Sequence, residues 1–319
     1  MELNPKNNDA REKNATIPSN GTSNGILSSA LLRRLEQFQL IARRRSKSSL
    51  RGERRSRARG HSVEFADYRN YVPGDDFRYL DWNLYGRLDR LFLKMYEEER
   101  ELPVTIIMDA SESMSFGEPT KFTFARQIAA AIGYVALCGF DRLSVQVYPE
   151  NPAESGVRFA LRSIRGRQSS LSYFKHLGML TPQGNLCLND AMKKAALQAR
   201  HTGLAVILSD FLDPRGYEEG INALVGRGFQ INIIQVLAAE ELAPTTFGDL
   251  KLVDSETGHQ QEVTFGKYRM TTYQKVVQSY CQRLKEFCQA RGARYFLASS
   301  NLPLEDLLLK QLRQAEVWG

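Results

Sequence analysis

Cysteine and histidine are scarce in this sequence, with four of each among 319 residues. Cys138, Cys187, Cys281 and Cys288 show none of the paired spacings of a zinc site, and no secretory signal opens the chain. Both points predict a reducing, cytoplasmic setting. Cys281 and Cys288 are seven residues apart in a helical pattern, so they share one face and are expected in the core. His61, His176, His201 and His259 are scattered, without ligand spacing or a place in a nucleophile triad, and are expected at the surface or in loops. Long apolar runs are missing too. The longest, 128–140, is interrupted by Gly133 and Gly139 and falls short of the about 20 residues a bilayer span needs, so no transmembrane segment is expected. No glycine-rich loop ends in Lys-Ser or Lys-Thr, which argues against ATP binding by this chain.

What is present is an ordinary globular composition, 42% hydrophobic and 25% charged, far from the signature of disorder. The formal net charge of +7 is concentrated in one tract, 43–59, which holds nine Lys or Arg against the single Glu53. The rest of the chain is therefore close to neutral. Such a tract can contact phosphates of nucleic acid or an anionic membrane, or dock an acidic partner, but it equally suits a solvated helix end and linker. The solvated reading is preferred, and nucleic acid is not the expected partner.

Along the chain, 1–25 reads as a disordered leader, and 26–59 as an amphipathic helix, with Leu27, Leu31, Leu35 and Phe38 at helical spacing, leading into the basic tract. Segment 60–100 is aromatic-rich around the turn Val72-Pro73-Gly74-Asp75-Asp76, with a strand-like run at 90–96, and reads as a β-rich preface. Its Trp82, Tyr79 and Tyr85 are expected to pack rather than to stack on bases. From 101 to 319 strands and helices alternate. Strands are predicted at 104–108, 143–148, 205–209, 229–236 and 294–298, and helices at 122–138, 169–177, 186–199, 215–227, 271–291 and 304–314. A hairpin is predicted at 250–265. The strands VTIIM, LAVIL and INIIQV are continuous apolar runs, as a sheet covered on both faces requires. The expected fold is α/β, a doubly wound, mostly parallel sheet of Rossmann type.

In such a sheet ligands bind where loops converge at the carboxyl ends of the strands. Asp109, Ser111 and Ser113 follow one strand directly, Gly184-Asn185 precedes a helix, and Ser209-Asp210 ends another strand. These are hard oxygen donors of the kind Mg²⁺ takes in near-octahedral geometry. Two carboxylates among neutral hydroxyls leave little surplus charge on a dication, so an acidic group of a partner can complete the shell. The alternative is that Asp109 caps a turn and the serines are ordinary loop residues.

The Asp109-Ser111-Ser113 loop, Gly184-Asn185-Leu186 and Ser209-Asp210-Phe211 resemble the metal-ion-dependent adhesion site of von Willebrand factor type A domains. That resemblance implies Ser111 and Ser113 as direct ligands of Mg²⁺ or Mn²⁺, with Asp109 and Asp210 acting directly or through water. Where the family has a threonine this chain has Asn185, whose amide oxygen can also ligate; Thr181 is a weaker substitute. A second resemblance covers about residues 50 to 315. Glu64-Phe65, Arg69-Asn70-Tyr71, Pro73-Gly74-Asp75-Asp76, Arg78, Asp81-Trp82, the acidic Glu97-Glu98-Glu99 and Asp254-Ser255-Glu256-Thr257-Gly258 are similar to the bacterial family catalogued as domain of unknown function 58. This resemblance implies work beside a MoxR-type AAA+ ATPase in protein maturation or complex assembly. Within 73–82 the residues themselves suggest a structural role, a turn at Pro73-Gly74 capped by Asp75 or Asp76, with Arg78 pairing with Asp81 across it. A metal-dependent interaction module, not an enzyme, is thus the expected function. A metal-dependent phosphoester hydrolase is the alternative, since a cation held by Asp and Ser can polarise a phosphate.

Overall fold

The computed structural model describes residues 25–40, 63–98, 101–149, 160–243, 248–253, 260–265, 267–314 and 317. The leader 1–24, the basic tract, His61, His259 and the 254–258 motif lie outside the described residues.

In chain order the elements are α1 (Ser29–Leu35), β1 (Val63–Asn70), α2 (Trp82–Leu88), β2 (Phe92–Glu98), β3 (Pro103–Asp109), α3 (Lys121–Cys138), β4 (Arg142–Tyr148), β5 (Ala160–Ile164) and α4 (Ser170–Gly178). There follow α5 (Leu188–Gln198), β6 (Leu204–Ser209), α6 (Glu218–Arg227), β7 (Gln230–Leu237), α7 (Ala239–Leu242), β8 (Gly248–Val253), β9 (Gln260–Phe265), α8 (Lys267–Ala290) and β10 (Arg294–Ser299). A helical tail runs through Leu304–Asp306, a π-helical Leu307–Gln311 and Leu312–Gln314.

Six strands form the central sheet in the order β10-β7-β6-β3-β4-β5. Every neighbour is parallel except β5, which runs antiparallel along the edge of β4. This is the mostly parallel, doubly wound α/β sheet that the apolar runs predict. Its strands are buried on both faces because alternate residues point to opposite sides. From β3, Val104, Ile106 and Met108 enter a core shared with α1, α3, α4 and the helical tail. Ile107 enters the other core, with α5, α6 and α8.

Helix α3 is the centre of the first core. Thr120 caps it, accepting a hydrogen bond from Thr123 N at 3.2 Å, and the alanines Ala129, Ala130 and Ala131 are fully buried. Gly133 is needed where Tyr173 of α4 crosses the helix: a Cβ there would strike the tyrosine ring. The Tyr173 hydroxyl then donates to the Ala129 carbonyl at 2.6 Å. Cys281 and Cys288 are buried on α8, as their spacing predicts.

The segment before the sheet carries the hairpin of the expected β-rich preface together with a short helix. β1 and β2 pair antiparallel with a bulge between Phe65 and Asp67, but α2 lies between them. Asp81 creates that helix, its Oδ1 accepting from Asn83 N at 2.9 Å and Leu84 N at 3.1 Å. Its other oxygen accepts from the Tyr68 hydroxyl at 2.8 Å and faces Lys94 at 3.1 Å. Arg78 therefore does not pair with Asp81; it pairs with Asp76, which caps its own turn. Asp75 closes the Pro73-Gly74 turn by accepting from Val72 N at 2.9 Å and from Arg69 at 2.8 Å. The packing expected of three aromatics does not hold either. Trp82 is 61% exposed, Tyr79 52% and Tyr85 40%.

The predicted hairpin is present as the antiparallel pair β8 and β9. Among the described residues no helix is long and apolar enough to cross a membrane.

Candidate metal centre

The chain starts its sheet at β3, adds β4 and β5 on one side, then returns to place β6, β7 and β10 on the other. The order reverses between β3 and β6, and at such a switch point the loops after the two strands part and leave a crevice. Asp109 ends β3, and Asp210 follows the last residue of β6.

Both loops are tightly set. Ala110 N donates to the Tyr148 carbonyl at 2.6 Å, Gln183 N to the Ala110 carbonyl at 2.7 Å and Glu112 N to the Gly184 carbonyl at 2.9 Å, so the 184–185 turn is pinned against the Asp109 loop. Asn185 thus sits at the surface beside that loop. On the β6 side Phe211 adopts a left-handed backbone at φ 59° although its side chain is fully buried. A non-glycine residue in that region is held there by its surroundings: Phe211 N donates to Ser209 Oγ at 3.0 Å, and Tyr280 of α8 donates to the Phe211 carbonyl. Gln235 Nε2 fixes the Asp210 carbonyl at 2.8 Å.

A chain of oxygens joins the two strand ends. Asp109 Oδ1 accepts from Ser111 N at 2.9 Å and from Ser111 Oγ at 2.6 Å, while its Oδ2 accepts from Ser209 Oγ at 2.6 Å. Ser111 Oγ lies 3.0 Å from Ser113 Oγ, which donates to Asp210 Oδ2 at 3.1 Å. The four residues Asp109, Ser111, Ser113 and Asp210 are thereby brought together as predicted. Asp109 acts chiefly as the acceptor that orients the serines. Burial, then the neighbouring Asp210 carboxylate, raise the Asp109 pKa well above the ordinary carboxylate range.

Two members of the cluster escape a reading of the sequence. Lys121, the first residue of α3, is 1% exposed and donates to Asp210 Oδ2 and to Glu241 Oε1 of α7, each at 2.7 Å. Burial would lower the lysine pKa, but Asp210 and Glu241 outweigh it and hold it raised. Glu241 also accepts from Ala238 N at 2.8 Å, tying α7 to the end of β7. A helix-start lysine ordinarily reads as solvated, and no local signal in the sequence marks it as buried.

The donor set suits a hard divalent cation. Every candidate ligand is oxygen, and two hydroxyls sit between two buried carboxylates, one of which, Asp210, shares its ammonium partner with Glu241. Among the described residues no three His, Cys, Asp or Glu side chains group as a metal site, so a cation here would have to draw part of its shell from the serine hydroxyls.

Fold and site define an α/β protein with a buried cluster of carboxylates and hydroxyls at its switch point. The family model described as "Protein of unknown function DUF58" matches residues 67–280, and the chain belongs to that family. An uncharacterized protein of Mycobacterium tuberculosis is 28% identical over 237 residues, 72% of each chain. The uncharacterized protein YeaD of Bacillus subtilis is 38% identical over 63 residues, covering 20% of this chain and 16% of that one. Among solved structures the chain is similar to BatB from Bacteroides thetaiotaomicron, at 13% identity and a TM-score of 0.40, over 67% of this chain and 96% of that one. It is also similar to a von Willebrand factor type A structure from Catenulispora acidiphila, at 18% identity and a TM-score of 0.33, over 44% of this chain and 34% of that one.

Proposed function

We propose that this chain is a protein-interaction module whose Asp109, Ser111, Ser113, Asn185 and Asp210 edge holds Mg²⁺ or Mn²⁺ and, through it, an acidic side chain of a partner. The observation that carries the reading is the hydrogen-bonded run of oxygens from Asp109 through Ser111 and Ser113 to Asp210, at the switch point where the strand order reverses between β3 and β6. Ser111 and Ser113 would ligate the ion, Asp210 would contribute a carboxylate, and Asp109 would orient the serines. Neutral hydroxyls leave the ion electron-poor, and an external carboxylate is the natural ligand for what remains of its shell. A bound ion would supply charge and an open coordination position. A MoxR-type AAA+ ATPase is the partner proposed, in protein maturation or complex assembly, on the strength of the family resemblance, and the cytoplasm is the proposed setting.

The test is a pull-down of the cognate ATPase by the full chain in Mg²⁺, in EDTA, and with Asp109→Ala in Mg²⁺. Capture lost in EDTA and in the variant, with circular dichroism unchanged, is the expected result. Equal capture in all three would reject the metal reading, and phosphoester turnover lost on Ser111→Ala would favour a hydrolase instead.

A further inference from the structure

The buried Lys121 is not accounted for by the metal reading. Its ammonium reaches the same Asp210 oxygen, Oδ2, to which Ser113 donates, and it is almost wholly removed from solvent. An ammonium and a dication are alternative counter-ions for one carboxylate oxygen: each is attracted by it, and they repel each other strongly at contact distance in a place of low polarisability. Lys121 also has a second acceptor already in place, Glu241 Oε1 at 2.7 Å, so it can give up Asp210 without becoming an unpaired buried charge.

We propose that Lys121 is a tethered competitor for the cation site: its ammonium and the divalent ion exchange on Asp210 Oδ2, and Glu241 receives the lysine when the ion binds. The proposal rests on the metal reading above and assigns to this chain a residue that sets how tightly the ion is held. Glu241 belongs to α7, and the loop before α3 packs on the start of that helix, a Cβ at Gly117 coming within 2.8 Å of Ala238 Cβ. Ion occupancy is therefore felt at α7 through the lysine.

The experiment titrates Mn²⁺ into the full chain, following the free-ion electron paramagnetic resonance signal, for the wild type, Lys121→Met, Glu241→Gln, the double variant and Asp210→Asn. Competition predicts at least tenfold tighter binding in Lys121→Met. Glu241→Gln should weaken binding severalfold in the wild-type background and have little effect once Lys121 is gone. Equal weakening by Glu241→Gln in both backgrounds would be plain long-range attraction and would overturn the competition. So would unchanged or weaker binding in Lys121→Met when Asp210→Asn still abolishes it, an outcome that leaves the metal site standing. No Mn²⁺ binding by the wild type or any variant would instead remove the metal reading itself. Should Lys121→Met fail to fold, Lys121→Gln takes its place, and binding by Glu241→Gln at wild-type strength would count against the proposal.

Discussion

Replacing Ser209 with alanine removes one buried oxygen that has two tasks. It donates to Asp109 Oδ2 at 2.6 Å and accepts from Phe211 N at 3.0 Å. Loss of a hydrogen bond to a carboxylate costs about 1.5–3 kcal/mol, and a buried N–H left without its acceptor adds about 1 kcal/mol or more. The side chain is small, so the cavity left behind adds little. Together these give a destabilisation of about 3 kcal/mol, or a fall in Tm of roughly 6–12 °C for a domain of this size. Urea denaturation followed by far-ultraviolet circular dichroism should show a lower midpoint at an unchanged slope. Mn²⁺ affinity should fall by about tenfold, because Asp109 is then free to turn away from Ser111. A loss of stability below about 1 kcal/mol with affinity intact would refute the view that Ser209 holds Asp109 in place.

Further outcomes follow from other contacts. Gly133→Ala drives a methyl group into the Tyr173 ring and should cost about 1–3 kcal/mol, read as a lower Tm. Burial, and then Glu101, push the Asp141 pKa up to about 6 against an accepted hydrogen bond from Leu102 N. The folded protein therefore holds a proton that the unfolded chain has lost between about pH 4 and 6, so stability falls as pH rises through that window. The carboxyl is partly solvated, so the effect is discounted to about 1 kcal/mol, and Asp141→Asn should flatten that part of the stability profile. Asp81→Ala uncaps α2 and removes one partner each from Tyr68 and Lys94; amide exchange at Asn83 and Leu84 should quicken while β3 amides keep their protection.

The sheet was legible because β3, β6 and β7 need apolar residues at consecutive positions, a pattern no half-exposed element produces. β5 was missed: ALRSI is a short edge strand whose pairing to β4 depends on that neighbour rather than on its own composition. α2 was missed because WNLYGRL combines aromatic residues with Gly86, and its helicity comes from the Asp81 cap. At the candidate site, Asp109, Ser111, Ser113 and Asp210 could be read because strand ends are visible in sequence. Lys121 could not, since its partners lie 89 and 120 residues away and only the closed fold makes its burial affordable.

The five buried alanines of α3, Ala125, Ala129, Ala130, Ala131 and Ala136, act as a gauge. They let the helix lie close against its neighbours, and Lys121, at one end of the same rigid rod, meets Asp210. A larger side chain at Ala129, Ala130 or Ala131 would lift the whole rod, since a well-packed helix shifts as a body rather than bending at one residue. Substitutions two to three turns away from the crevice would then change the reach of the lysine without touching the site. A deep mutational scan should find α3 intolerant of bulk along most of its length, and its surviving variants should differ in cation affinity more than in fold.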